Sequence, residues 1–359
     1  MVIKPLTSIR FFFALMVFMT HVGILFQADA NLKHLYENVF SEGFMGVSFF
    51  FILSGFILSL NYKEDSQLKS YKRIFILKRI LRIYPLHIIT LIFMLPFSFP
   101  GIWTLKSLSF WIIKLMVQVL LLQSFIPLES VFYSFNGPSW SLSDEMFFYI
   151  LFPFLLNIYS LNQKWIKFLL PLMVFFIIGL SFIPEKWHLA IVYVQPPVRI
   201  MDFILGILLY QFYKVENIKI KRWILSRKLA TIMEIGVIIL FVLFFAFHYW
   251  VPLVYRYSIY YWIPGSLLIF VFSLNQGAIS KILSQKIFEK LGEISFSFYL
   301  VHGVVLEYFL FQPRNHFIKN DMGMVLGLFF ITLFISFPLY KYIELPIKNW
   351  AFHKLKSDG

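Results

Sequence analysis

The chain has 359 residues, 60% hydrophobic and only 14% charged, with a mean hydropathy of +0.78 and a formal net charge of +14. Apolar runs of about 20 residues recur from end to end, which excludes a soluble globular domain and describes a polytopic helical membrane protein. The chain contains no cysteine, which excludes thiol catalysis, iron–sulfur clusters, disulfides and Cys-ligated zinc.

The first apolar run, Leu6 to Gln27, is long enough to cross a bilayer, yet it carries Arg10 and His21. Ionisable side chains inside a spanning helix are costly and usually functional. Eleven residues at about 100° each come to about 20° past three whole turns, so the two share one face, about 16 Å apart along the axis. That arrangement is expected of a site. Ala28-Asp29-Ala30 resembles a signal-peptide cleavage site, but the charges within the run and its length argue for a retained helix.

Further apolar runs cover 43–62, 77–97, 106–126, 144–162, 166–184, 197–213, 229–250, 257–274, 291–311 and 323–343. The most basic connections are 63–82, 214–228 and the C-terminal tail, and all should be cytoplasmic. They fall on one side only if 106–126 does not cross. In that arrangement 24 of the 32 Lys and Arg are cytoplasmic. The positive-inside rule therefore predicts an all-α bundle of about ten spans with both termini cytoplasmic and 106–126 as an interfacial or re-entrant helix. Lys106, Lys114 and Gln118 suit an interfacial helix. The basic residues lie between apolar runs, so the net charge reads as membrane anchoring and not as nucleic-acid binding. We read 1–347 as one transmembrane domain and 348–359 as a short basic cytoplasmic tail.

Several polar constellations interrupt the apolar sequence. Arg79 and Arg82 share a helix face just ahead of an apolar run, and two guanidiniums offer planar forks suited to phosphate oxygens. In Gly43-Phe-Met-Gly46 and Ser54-Gly55, small residues allow close helix approach. In Pro138-Ser-Trp140-Ser141-Leu-Ser143-Asp144-Glu145, Ser141 or Ser143 is expected to cap a helix whose first turn holds two acids. The same residues at an outer mouth would also suit a sugar. His302 lies near the middle of its run. Asp202 with Arg199, Glu234, Glu307 and Glu344 are further polar intrusions. No His-x3-His or HExxH spacing occurs, so no metal site is expected. The topology puts Arg79 and Arg82 at the cytoplasmic mouth and 138–145 at the outer mouth.

Seven stretches, in order, resemble the acyltransferase-3 superfamily of bacterial membrane enzymes that O-acylate cell-envelope glycans. They are Arg10-x10-His21, GFMGVSFFFILSGF at 43–56, RILRIYP at 79–85, PSWSLSDEMFFY at 138–149, RIMDFILG at 199–206, LGEISFSFYLVH at 291–302 and IELP at 343–346. Two departures are mild: Thr7-Ser8 stands where the family often has Asp-Gly, and Asp144 where Val or Glu is common. The resemblance implies acyl-CoA, most often acetyl-CoA, as cytoplasmic co-substrate, with no permanently bound cofactor. Arg10, Arg79 and Arg82 would hold its phosphates. His21 would be catalytic, either as general base toward a sugar hydroxyl or as carrier of the acyl group. Glu145 is the second catalytic candidate, and with His302 it is a candidate to orient His21 or the acceptor. Trp140, Ser141, Ser143, Asp144 and His302 are assigned to the acceptor. That acceptor is expected to be a sugar of the lipopolysaccharide O-antigen, capsule, exopolysaccharide or peptidoglycan, or a lipid-linked precursor, with O-antigen or capsule favoured, and the expected location is the bacterial inner membrane. A stand-alone member without the hydrolase-like extracytoplasmic domain of some relatives is expected; oligomeric state is open. The rival class is a transporter or flippase for a lipid-linked sugar, but the paired repeats with broken helices common in transporters are not visible.

Overall fold

The computed structural model describes residues 2–26, 30–62, 69–99, 101, 104–161, 164–223, 226–310 and 322–357, and the regular elements among them are all helical. Ala28-Asp29, Lys63 and the last two residues of the basic tail lie outside the described residues. Each apolar run becomes a helix: α1 Lys4–His21, α2 Gly46–Asn61, α3 Lys69–Ser98, α4 Leu105–Val119, α5 Trp140–Leu161, α6 Lys164–Leu180, α7 Pro196–Trp223, α8 Arg227–Ala246, α9 Trp262–Leu274, α10 Lys286–Leu310 and α11 Met322–Leu339. A last helix, α12, runs Leu345–Ser357. In lipid a helix satisfies its own backbone hydrogen bonds, so an apolar run of this length has no better conformation.

Among the described residues, Ala30–Asn61, Lys72–Ser98, Arg227–Ala246 and Met322–Ala351 are long and apolar enough to cross a membrane. The pair Pro171–Leu180 and Glu185–Tyr193, bent by 116°, would make one more broken span. Other helices are shorter or carry charge: α9 has 13 residues, and α1 holds Lys4, Arg10 and His21. Large apolar side chains remain outward-facing along α6, α8 and α11, as with Phe175, Val242 and Phe334. Apolar faces on successive long helices are the surface of a membrane protein.

α4 has 15 residues, a rise of about 22 Å against the roughly 30 Å of a hydrocarbon core. Its start is fixed by a reciprocal capping box between Thr104 and Ser107. It stops just before Leu121, which takes a left-handed φ of 55°. Gln118, expected on a polar outer face, instead points inward. It is fully buried, and its amide donates to Ser134 O at 2.8 Å while its carbonyl side chain accepts from Ser139.

The chain divides into two compact units, one of Met1–Tyr62, Lys164–His188 and Arg199–Ser295, the other of Lys63–Gln163, Leu189–Val198 and Phe296–Gly359. The core of the first unit is aliphatic and aromatic: Leu6, Ile9 and Phe13 of α1 join Phe49, Ile52 and Phe56 of α2 and Ile269 and Phe272 of α9. Glycines set its closest helix contacts. A Cβ on Gly55 would lie 2.1 Å from Phe203 O, and one on Gly206 would lie 2.0 Å from Ile52 O, so α2 and α7 touch backbone to backbone. In the second unit, Leu91, Met94 and Phe135 form an apolar cluster with Trp111 and Leu115 of α4 packed against it.

Candidate active site

Arg10 and His21 lie on α1 in the first unit, as the spacing predicts. Arg10 is half-buried, and His21 closes the helix with its ring exposed. The His21 Nδ1 lies 2.8 Å from Val17 O. A carbonyl only accepts, so Nδ1 carries the proton, and in the neutral ring the lone pair sits on Nε2. The helix itself therefore selects the tautomer.

The turns around His21 are held by the 36–45 segment. Tyr36 donates to Thr20 O at 2.8 Å, and Thr20 Oγ1 donates to Phe40 O at 3.0 Å. Gly43 lies against α1 one turn earlier, where a Cβ would come within 2.0 Å of Met16 O. Gly43 of the second motif thus lets the 36–45 segment lie directly against the His21 end of α1.

Two other polar intrusions in this unit are staples. Arg199 and Asp202 are both fully buried and paired at 3.0 Å, with Arg199 also bonded to Ser48 at 2.9 Å and to Tyr257 O. Asp202 accepts from Ser258 at 2.6 Å and from Trp262. The Arg-x-x-Asp step of α7 thereby clamps α2 to the start of α9. Glu234 caps the short helix Ala278–Leu283, accepting from Gly277 N at 3.0 Å and Ile279 N at 2.9 Å.

In the second unit α3 and α5 bring together residues that the sequence placed at opposite mouths. Arg82 lies in the field of Glu145, Glu344 and Tyr149. Glu145 accepts from Tyr149 at 3.1 Å, and the Arg79 guanidinium lies 5.7 Å from the Tyr149 ring and 5.2 Å from that of Phe75. The assignment of the arginines to one mouth and of Glu145 to the other is corrected accordingly. Thirteen residues of α3 precede Arg82, so it lies well inside the helix, and Glu145 stands in the second turn of α5.

The serines of the 138–145 stretch do not cap. Ser141 donates to Pro138 O at 3.1 Å and hydrogen bonds to Tyr299 at 2.9 Å, and Ser143 donates to Leu121 O at 2.6 Å. α5 is entered through a 3-10 turn at Gly137–Ser139, which puts both hydroxyls inside the helical run rather than ahead of it. Ser143 thus holds the carbonyl of the left-handed Leu121. Trp140 is 3% exposed and packs on Tyr193 with ring centroids 4.8 Å apart. Asp144 and His302 are fully buried, and the His302 ring meets Tyr299 edge-on at 5.6 Å. Tyr149, Tyr299, Ser297 and Glu344 are the residues sequence reasoning left without a role here. Two of them had a local signal, since Tyr149 stands four residues after Glu145 and Tyr299 three before His302.

The acyltransferase domain family matches residues 5–341. The acyltransferase MdmB of Streptomyces mycarofaciens is 28% identical over 326 residues, covering 85% of this chain and 79% of MdmB. The peptidoglycan O-acetyltransferase OatA of Listeria monocytogenes is 26% identical over 344 residues, 89% of this chain. The match takes in only 53% of OatA, so the chain corresponds to about half of that protein. No solved structure matches. With a family model running through nearly the whole chain, and through both the His21 helix and the Arg82 cluster, this protein belongs to the acyltransferase-3 family and is a membrane acyltransferase.

Proposed function

We propose that the protein transfers an acetyl or other short acyl group from acetyl-CoA (acyl-CoA) to a hydroxyl of a cell-envelope glycan sugar, of the O-antigen, capsule or exopolysaccharide class or its lipid-linked precursor. Its place is the bacterial inner membrane, with ten spans, both termini cytoplasmic, residues 348–359 as a cytoplasmic tail and α4 at the outer surface. The length of α4, short of a hydrocarbon core, supports that placement.

The observation that carries the reading is the Val17 carbonyl on His21 Nδ1. It leaves Nε2 as the basic nitrogen of an exposed ring at a helix end. In the transfer, Nε2 takes the proton of the sugar hydroxyl as its oxygen bonds to the thioester carbonyl carbon. The C–S bond then breaks, and the departing thiolate recovers the proton from the imidazolium. The CoA phosphates rest on Arg79 and Arg82, with Arg10 adding positive charge on the His21 helix. Glu145, with Ser141, Asp144 and His302 nearby in the same unit, serves the acceptor side. The name of the OatA relative supports acetyl as the group and an envelope glycan as the acceptor.

The test is mass spectrometry of surface glycans, peptidoglycan included, from a deletion strain and from the same strain carrying the native chain or His21→Ala at equal expression. An O-acyl group present only with the native chain is the expected result and names the acceptor. Glycans acylated alike in all three, with export lost in the deletion, would overturn the reading in favour of a transporter.

A further inference from the structure

Beside Asp202 and Glu234, the first unit buries the carboxylate of Glu42. Both of its oxygens are taken, Oε1 by the Arg256 guanidinium and Oε2 by the Tyr261 hydroxyl at 2.8 Å. The His248 Nε2 lies 3.7 Å from the same Oε1, and its Nδ1 bonds to Phe245 O at 2.7 Å. A carboxylate held at both oxygens has one orientation, so residue 42 is fixed against the 248–261 stretch.

The backbone on either side of Glu42 lies along the last turns of α1. It makes a π turn at Tyr36–Phe40 and a 3-10 turn at Ser41–Met45. Tyr36 and Phe40 bond to Thr20, Gly43 rests on Met16, and a Cβ on Gly46 would lie 2.9 Å from Phe13 O. These contacts run from Phe13 to Thr20, the residue before His21. A helix end frays unless something outside holds it, because its last carbonyls have no partner within the helix. The Thr20 carbonyl is one of these, and it accepts from Tyr36. The 36–46 segment therefore secures the last turn of α1, and Glu42 binds that segment to the rest of the unit. A buried ion pair adds little stability over apolar residues of the same size; its better-attested use is to select one geometry. We propose that Glu42 is a positioning residue for His21: through the 36–46 segment it fixes the last turn of α1, and with it the place from which Nε2 meets the acceptor hydroxyl. The inference rests on the reading of His21 as general base.

Glu234 supplies the control. It is a buried carboxylate of the same unit, and the short helix it caps also holds α1, but at the other end, where Ser8 donates to Leu283 O at 2.6 Å. General loosening of the fold would act through either carboxylate, whereas misplacing His21 requires Glu42. Acetyl transfer from radiolabelled acetyl-CoA would be followed in membranes of the deletion strain carrying each full-length variant, with rates normalised to the monodisperse chain recovered in detergent. Glu42→Gln is expected to lower kcat about tenfold with KM for acetyl-CoA within about twofold of native, since a misplacement of about 1 Å can cost about 10²-fold. Tyr36→Phe, which frees the Thr20 carbonyl, should lower kcat about threefold. Glu234→Gln should lower the melting temperature and leave kcat per folded molecule native. Native kcat in Glu42→Gln, or an equal loss in Glu234→Gln, overturns the positioning role. Should Glu42→Gln fail to fold, native kcat in both Tyr36→Phe and Tyr261→Phe overturns it. His21→Ala turning over at the native rate would instead overturn the general-base reading itself.

Discussion

Two arginines, one in each unit, are set against carboxylates in different ways. Arg199 is fully buried with Asp202, and Ser48, Tyr257, Ser258 and Trp262 share out the hydrogen bonds of the pair. Arg82 is half-buried, has two carboxylates in its field, and lies one turn from the half-buried Arg79. The first arrangement is closed to any ligand, and its charges hold helices together. The second is only half-buried, as the donor reading requires. Exposure, more than the presence of charge in the membrane, separates a staple from a site, and both sets stood out equally as polar intrusions in the sequence.

Substitutions at the two arginines and around them should separate staple from site. The largest effect belongs to the catalytic side: His21→Ala should lower the rate of glycan acylation by about 10²–10⁴-fold, the range for a lost general base, with the detergent melting temperature little changed because the ring is exposed. A large drop in melting temperature would recast His21 as structural. Next, Arg199→Ala leaves Asp202 buried without its cation and should cost about 3–5 kcal/mol of stability, read as lost folded yield and a lower melting temperature. Activity lost at unchanged melting temperature would move that pair from staple to site. Arg79→Ala should do the opposite, keeping the fold and weakening coenzyme A binding by about tenfold or more. Ser143→Ala should lower stability by about 1 kcal/mol through the carbonyl of Leu121, without altering coenzyme A affinity. Finally, a cysteine at position 114, in a chain with none of its own, should be labelled by an impermeant thiol reagent added outside intact cells. Labelling only after lysis would place α4 elsewhere.

What the sequence determined by itself was local or repetitive. Every apolar run is a helix, because in lipid that conformation alone closes the backbone hydrogen bonds within the segment. Arg10 and His21 share a helix because helical spacing depends on nothing else, and glycines at 43 and 55 mark close approach because only a missing Cβ permits it. What the tertiary structure decided was pairing. Glu344 accepts from Ser297, forty-seven residues before it in the chain. Ser141 and Ser143 turn from caps into ties because Tyr299 and Leu121 arrive beside them. Glu234 turns out to cap a helix more than forty residues away. No periodicity encodes such partners. A charge in a membrane helix announces that it needs a counter-group, but which of several equally suitable carboxylates supplies it depends on how the helices are packed.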